Sequence, residues 1–194
     1  MSAEESWVAI GITLLTVMLY DASFNSSIPR VPVPSGKAYR IDSPPGNGLV
    51  TAQLANELKG VLEKFAMDAG FSESNPVGIF FKPGVVGHHK FGRAADLYAV
   101  GGVGLDRWKE RWDQAMEYAS RVPNAEERRN VTNMQRKNNL GWRLYKALQL
   151  FGRWAQPHGY PIQLFGPWTR TEGPWKYISD RLLHAHRDHI HVAK

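Results

Sequence analysis

His184-Ala-His-Arg-Asp-His-Ile-His-Val-Ala-Lys194 carries four of the seven histidines of this 194-residue chain. His189 and His191 flank Ile190, and Val192 follows. Alternation of polar and apolar residues predicts a strand, and its two-residue period sets both imidazoles on one face of a sheet. His186 stands three residues before His189, where a turn can fold it back over the same face. A lone histidine is usually a surface or core residue with a satisfied hydrogen bond. Two on one strand face, with a third beside them, point to a metal or acid–base site. A metal ion would need further ligands from elsewhere in the chain.

A second histidine-bearing stretch is Gly87-His-His-Lys-Phe-Gly-Arg-Ala-Ala-Asp-Leu-Tyr-Ala-Val100. His89 precedes Asp96 by seven residues, with Gly92 between them. The run from Ala94 to Val100 has strand character. A tight turn at Gly92 would let a loop histidine and a strand aspartate converge on one point. His89, Asp96 and His191 then supply the three protein ligands of a catalytic zinc site, with the fourth position left to water. The chain has no cysteine, which excludes disulfides, thiolate zinc sites and cysteine nucleophiles. Zinc would have to be held by imidazole and carboxylate.

The remaining pattern is that of a soluble domain with both helices and strands. Thr51 is expected to cap a helix whose apolar residues Leu54, Leu58, Leu62, Phe65 and Ala69 recur at helical spacing, closed by Gly70. Val77-Gly-Ile-Phe-Phe-Lys82 is a short apolar strand before Pro83-Gly84. Asp106 is expected to cap a second helix with Trp108, Trp112, Ala115 and Ala119 on one face. Residues 124–139 are polar and mixed in charge, as in a solvated helix or loop. Leu144, Ala147, Leu148, Phe151 and Ala155 mark a third amphipathic helix, and residues 161–166 a strand. The aromatic loop from Pro167 to Trp175 either walls a cleft or is buried, and Trp168 is its candidate substrate-contacting residue.

The N-terminal part differs in composition. Residues 7–20 are uncharged but shorter than the ~20 that span a bilayer. A short membrane anchor, an atypical export signal and a helix packed on the domain are all compatible with them. Residues 25–48 are rich in Ser, Pro and Gly and read as a linker, or as an arm laid over the domain. That linker-like sequence favours an anchor or signal at residues 1–24, with residues 49–194 as the domain proper. The flanking charges, acidic before and basic after, point the opposite way on the positive-inside rule. A net charge of +6 and a pI near 9.6 suit an acidic partner without choosing one.

His-x-x-Gly-x-Ala-x-Asp from His89 to Asp96, followed by His-x-His from His189 to His191, resembles the LAS group of zinc metallopeptidases. This group comprises the lysostaphin, D-alanyl-D-alanine peptidase and hedgehog types. His-x-x-His-x-His, from His186 to His191, is most similar to the penicillin-insensitive murein endopeptidase branch. The D-alanyl-D-alanine peptidases usually have Glu in place of His186. The resemblance covers residues 49–194 and departs at Gly87, where the family often has Ser. It implies that His89, rather than the adjacent His88, joins Asp96 and His191 on the zinc. It also implies that His189 acts on the attacking water or steadies the oxyanion, with His186 as its partner in proton transfer. Lys82 is the candidate for a substrate-contacting basic residue. The implied fold is α+β, a small antiparallel sheet carrying the zinc site and flanked by three to four helices. The implied substrate is the peptide part of bacterial peptidoglycan. This would place the protein in the cell envelope, in a phage or in a secreted effector, with no nucleic-acid partner expected.

Two alternatives lie in other functional classes. Asp188-His189-Ile190 resembles the start of HNH nuclease motifs, but the Asn and further His that such a motif needs downstream do not follow. A zinc-bearing module that binds peptidoglycan without cleaving it would share the three ligands. It would have no need of His186 and His189.

Overall fold

The computed structural model describes residues 29–84, 87–155, 163–172 and 179–193. The stretch 7–20 and Trp175 lie outside the described residues. Among those described, no helix is long and apolar enough to cross a membrane.

The main sheet is built from β2 (Tyr39–Ile41), β4 (Val77–Lys82), β5 (Ala94–Val100), β8 (Ile190–Ala193) and β7 (Gln163–Phe165), in the spatial order β2-β4-β5-β8-β7. The two-residue β6 (Val103–Gly104) also pairs with β5. All pairings are antiparallel except β2 with β4. A separate antiparallel ribbon joins β1 (Arg30–Pro32) to β3 (Leu49–Thr51). Among the described residues six helices accompany the strands: α1 (Ala52–Asp68), α2 (Leu105–Arg121), α3 (Ala125–Asn138), α4 (Leu140–Ala155), α5 (Thr169–Glu172) and α6 (Asp180–Ala185). The α+β expectation holds. The two extra helices, α5 and α6, are too short to show an apolar period.

Alternation along the strands sends Ile79, Phe81, Leu97, Ile190 and Val192 into one core, where they join Leu54, Leu58 and Leu62 of α1 and Leu144 and Leu148 of α4. Burying each Leu or Ile contributes roughly 1.5–3 kcal/mol, which anchors both helices to a single sheet face. At the start of α1, Thr51 Oγ1 accepts from the Leu54 amide at 3.3 Å. The cap expected at Asp106 is corrected. The cap position lies two residues earlier, at Gly104, and makes no side-chain cap bond. Asp106 lies in the first turn, where a carboxylate still meets the positive end of the helix dipole. The solvated stretch is the helix α3, capped by Asn124 and without a buried residue. Asn139 then joins three helices. It is buried, donates to the Trp108 carbonyl at 2.8 Å and accepts from the Trp142 amide at 2.9 Å.

The linker reading of residues 25–48 is corrected for its described part. Val33, Ala38 and Tyr39 are buried in the core. The Glu63 carboxylate on α1 accepts from the Lys37 amide at 2.9 Å and the Ala38 amide at 3.3 Å. The Tyr39 hydroxyl donates to the Pro34 carbonyl at 2.6 Å. The prolines and glycines here punctuate short strands instead of marking free chain. A boundary at residue 48 would strip β2 from the sheet edge. Tyr39→Ala should therefore cost about 3–5 kcal/mol in denaturant unfolding. A chain beginning at Gly48 should unfold at lower denaturant than the full chain, and equal midpoints would contradict this account.

Candidate metal centre

Register across the main sheet fixes the site. Lys82 on β4 is opposite Asp96 on β5, Asp96 is opposite His191 on β8, and His191 is opposite Phe165 on β7. Directly paired residues project to the same side, so these four side chains form one row on the face away from the core. The apolar neighbours Ala95, Leu97, Ile190 and Val192 face the helices.

His89 arrives from a different element, the 3₁₀ turn Gly87–Phe91. Gly92 follows with φ of +68°, a conformation that favours glycine, and its carbonyl accepts from the Thr51 amide at 2.7 Å. The turn is thereby tied to the start of α1. On its other side, the backbone of Gly84 lies against the His89 ring. A Cβ at position 84 would fall 2.2 Å from the imidazole Cγ and Nδ1.

Ligand atoms of three residues meet here. His89 Nε2 is 3.1 Å from Asp96 Oδ2 and 3.3 Å from His191 Nδ1, and His191 Nδ1 is 2.8 Å from Asp96 Oδ1. A tetrahedral ion with bonds of about 2.0–2.1 Å sets its ligand atoms about 3.3 Å apart, which matches the two nitrogens, while the contacts to the two carboxylate oxygens have hydrogen-bond length. Among the described residues these are the one group of three with ligand atoms so gathered. His88 is not part of it. Burial opposes ionisation of Asp96, but hydrogen bonds from His191 and His89 outweigh it and hold the carboxyl far below its usual range. The trio can hold a metal ion.

Two further imidazoles border the trio. His189 Nε2 is 3.8 Å from Asp96 Oδ1, while its Nδ1 is 2.8 Å from Asp188 Oδ1. His186, at the end of α6, has its ring centre 5.0 Å from that of His189 and 5.2 Å from that of His191. His186 Nδ1 lies 2.7 Å from the Leu182 carbonyl, an acceptor only, so that nitrogen carries the hydrogen. Burial lowers the His186 pKa in spite of that bond, and neighbouring His191 and His189 lower it further.

The walls of the site include residues that sequence reasoning missed. A bulge between Phe80 and Phe81 moves the β4–β5 register from Ala99 to Leu97 and leaves Tyr98 without a partner. The Tyr98 ring stacks on His189 at 4.6 Å, and Lys82 Nζ sits 3.9 Å from the centre of the same ring. Burial, then Asp96 and Asp188, push the Tyr98 phenol up to about 12, so it stays neutral. Phe165 stacks near His191 at 6.1 Å. The bulge and the long-range stacking leave no local sequence signal, but the two-residue spacing of Tyr98 from Asp96 on one strand could have placed it on this face. Of the two candidate substrate contacts, Lys82 stands exposed at the edge of the row. Trp168 is corrected: it is fully buried in the core beside Tyr145 and cannot touch a ligand.

No family model matches the chain, and no curated protein or solved structure shows significant similarity to it.

The fit of Gly84 to His89 gives a direct check. Gly84→Ala should displace the ring and weaken metal binding on the order of 10–100-fold, the size expected for groups that orient a ligand. His89→Ala and Asp96→Ala should lose the stoichiometric metal, whereas His88→Ala should retain it. Elemental analysis and calorimetric titration of the four variants would decide.

Proposed function

We propose that this protein is a zinc-dependent peptidase acting on the peptide part of bacterial peptidoglycan. The observation that carries this reading is the convergence of His89, Asp96 and His191 at metal-ligand spacing, with two more imidazoles beside them. Two neutral nitrogens and one carboxylate, without thiolate, suit zinc and leave a coordination position open. When bound, zinc supplies Lewis acidity toward a carbonyl oxygen and activates water for attack.

The protein's own groups supply the rest. His189 Nε2 faces the centre and takes the proton from the attacking water. His186, kept neutral by burial, relays a proton toward the leaving amine. Lys82 and Tyr98 offer a positive charge and a phenol at the edge, suited to carboxylate or carbonyl groups of a bound peptide. Phe165 and the sheet beneath it shield the trio from bulk water. The peptidoglycan substrate is supported by the ordered motifs at His89–Asp96 and His186–His191, and the basic net charge suits an anionic wall. The location that follows is the cell envelope or a secreted or phage-borne form, with residues 7–20 serving as the anchor in the first case and no nucleic-acid partner.

The test is digestion of purified sacculi by the zinc-loaded full chain, with mass spectrometry of the released muropeptides. Cleavage should stop with a chelator and return with zinc. His189→Ala should keep its zinc and lose about 10²–10⁴-fold in turnover. Sacculi that are bound but never cleaved would identify a binding module. Zinc loss in His189→Ala would make His189 a ligand.

A further inference from the structure

Asp188 has one polar partner among the described residues, the Nδ1 atom of His189 at 2.8 Å. We infer that Asp188 is a positioning residue that fixes the hydrogen of His189 on Nδ1 and so leaves the Nε2 lone pair facing the metal centre. This rests on the proposed peptidase reading for its catalytic consequence, though not for its chemistry.

An ionised carboxylate accepts hydrogen bonds and donates none, so Nδ1 must carry the hydrogen. A neutral imidazole has a single N–H, and Nε2 is then bare. The ring lies between two carboxylates, with Nδ1 at 2.8 Å from Asp188 and Nε2 at 3.8 Å from Asp96. Only the nearer pair is within hydrogen-bonding distance, and it decides the tautomer. Tyr98 stacked at 20° to the imidazole opposes tilting of the plane, so tautomer and orientation are set together. His186 repeats the arrangement with a different acceptor, since the Leu182 carbonyl takes its Nδ1 hydrogen. Both rings beside the metal trio therefore present Nε2 as the basic atom. His189 does not complete the compact group of ligand atoms, which leaves its lone pair free for a proton.

Asp188 is half-buried, at the edge of a groove that Lys109 and Arg187 also line. No other hydrogen bond among the described residues depends on it, so it can be removed with little cost to the fold. The experiment uses the ¹⁵N-labelled, zinc-loaded full chain and reads the imidazole nitrogens by long-range ¹H–¹⁵N correlation. His189 should show a protonated Nδ1 and a bare Nε2. Asp188→Ala should give a mixture that includes the Nε2–H form. Its kcat on muropeptides should fall about 10–100-fold, with KM, zinc content and Tm unchanged. A purely structural Asp188 would move Tm or zinc content instead. A wild-type His189 with its hydrogen on Nε2 would overturn the inference, as would an Asp188→Ala variant with an unaltered tautomer and full turnover. If the wild type cleaves no muropeptide, the peptidase reading fails, and the wild-type nitrogen spectrum still decides the role of Asp188.

Discussion

The centre of this structure is a buried carboxylate. Asp96 sits on the middle strand of the main sheet, 8% exposed, and accepts from two imidazoles. A buried carboxylate without partners costs several kcal/mol, enough to empty the native state of a marginally stable domain. The chain must therefore bring His89 and His191 to it whether or not an ion is present. Much of the local architecture serves that delivery: the absence of a side chain at Gly84, the left-handed turn at Gly92, its bond to Thr51, and the pairing of β8 with β5. Replacing the imidazole hydrogens with a cation keeps the same partners and adds a stronger charge.

Polarity divides the sheet into two working sides. Ala95, Leu97, Ile190 and Val192 supply the helix-facing side, and Asp96, His189 and His191 the other, by simple alternation. The bulge at Tyr98 breaks that alternation once. It lets Leu97 and Val100, three residues apart, both reach the core, while Tyr98 keeps the site face that alternation gives it with Asp96. One irregular residue thus returns Val100 to the core beside the column of Lys82, Tyr98 and His189.

The limits of β4 and β5, the capping of α1 by Thr51 and the trio of converging side chains were all legible in the chain. Each rests on short-range periodicity or on residue chemistry. The arm at residues 30–41 was only one of two readings, linker or arm, because Pro and Gly at short-strand turns look the same as Pro and Gly in free chain. What distinguishes them is Tyr39, and its burial depends on Glu63 and β4, far along the sequence. Trp168 was ambiguous for a related reason: an aromatic in a Gly/Pro loop suits a cleft wall or a core plug equally, and the packing of α4 selects the core. Alternation already set Tyr98 on the face of Asp96, two residues before it, but its stacking on His189 and the bulge depend on neighbouring strands and could not be read locally.

The position of β8 has a consequence for how the molecule folds. It lies between β5 and β7, yet its partners on β5 are about a hundred residues away in the chain: Asp96 is 95 residues from His191, and His89 is 102. Closing so long a loop costs entropy before any contact compensates, and pairings of this kind slow folding. Until β8 inserts, the sheet is split into two pieces with open edges and the ligand set is incomplete. Competence to bind metal therefore reports completion of the whole sheet. An ion present while the chain folds would act on the final insertion, slowing its reversal more than hastening the earlier steps.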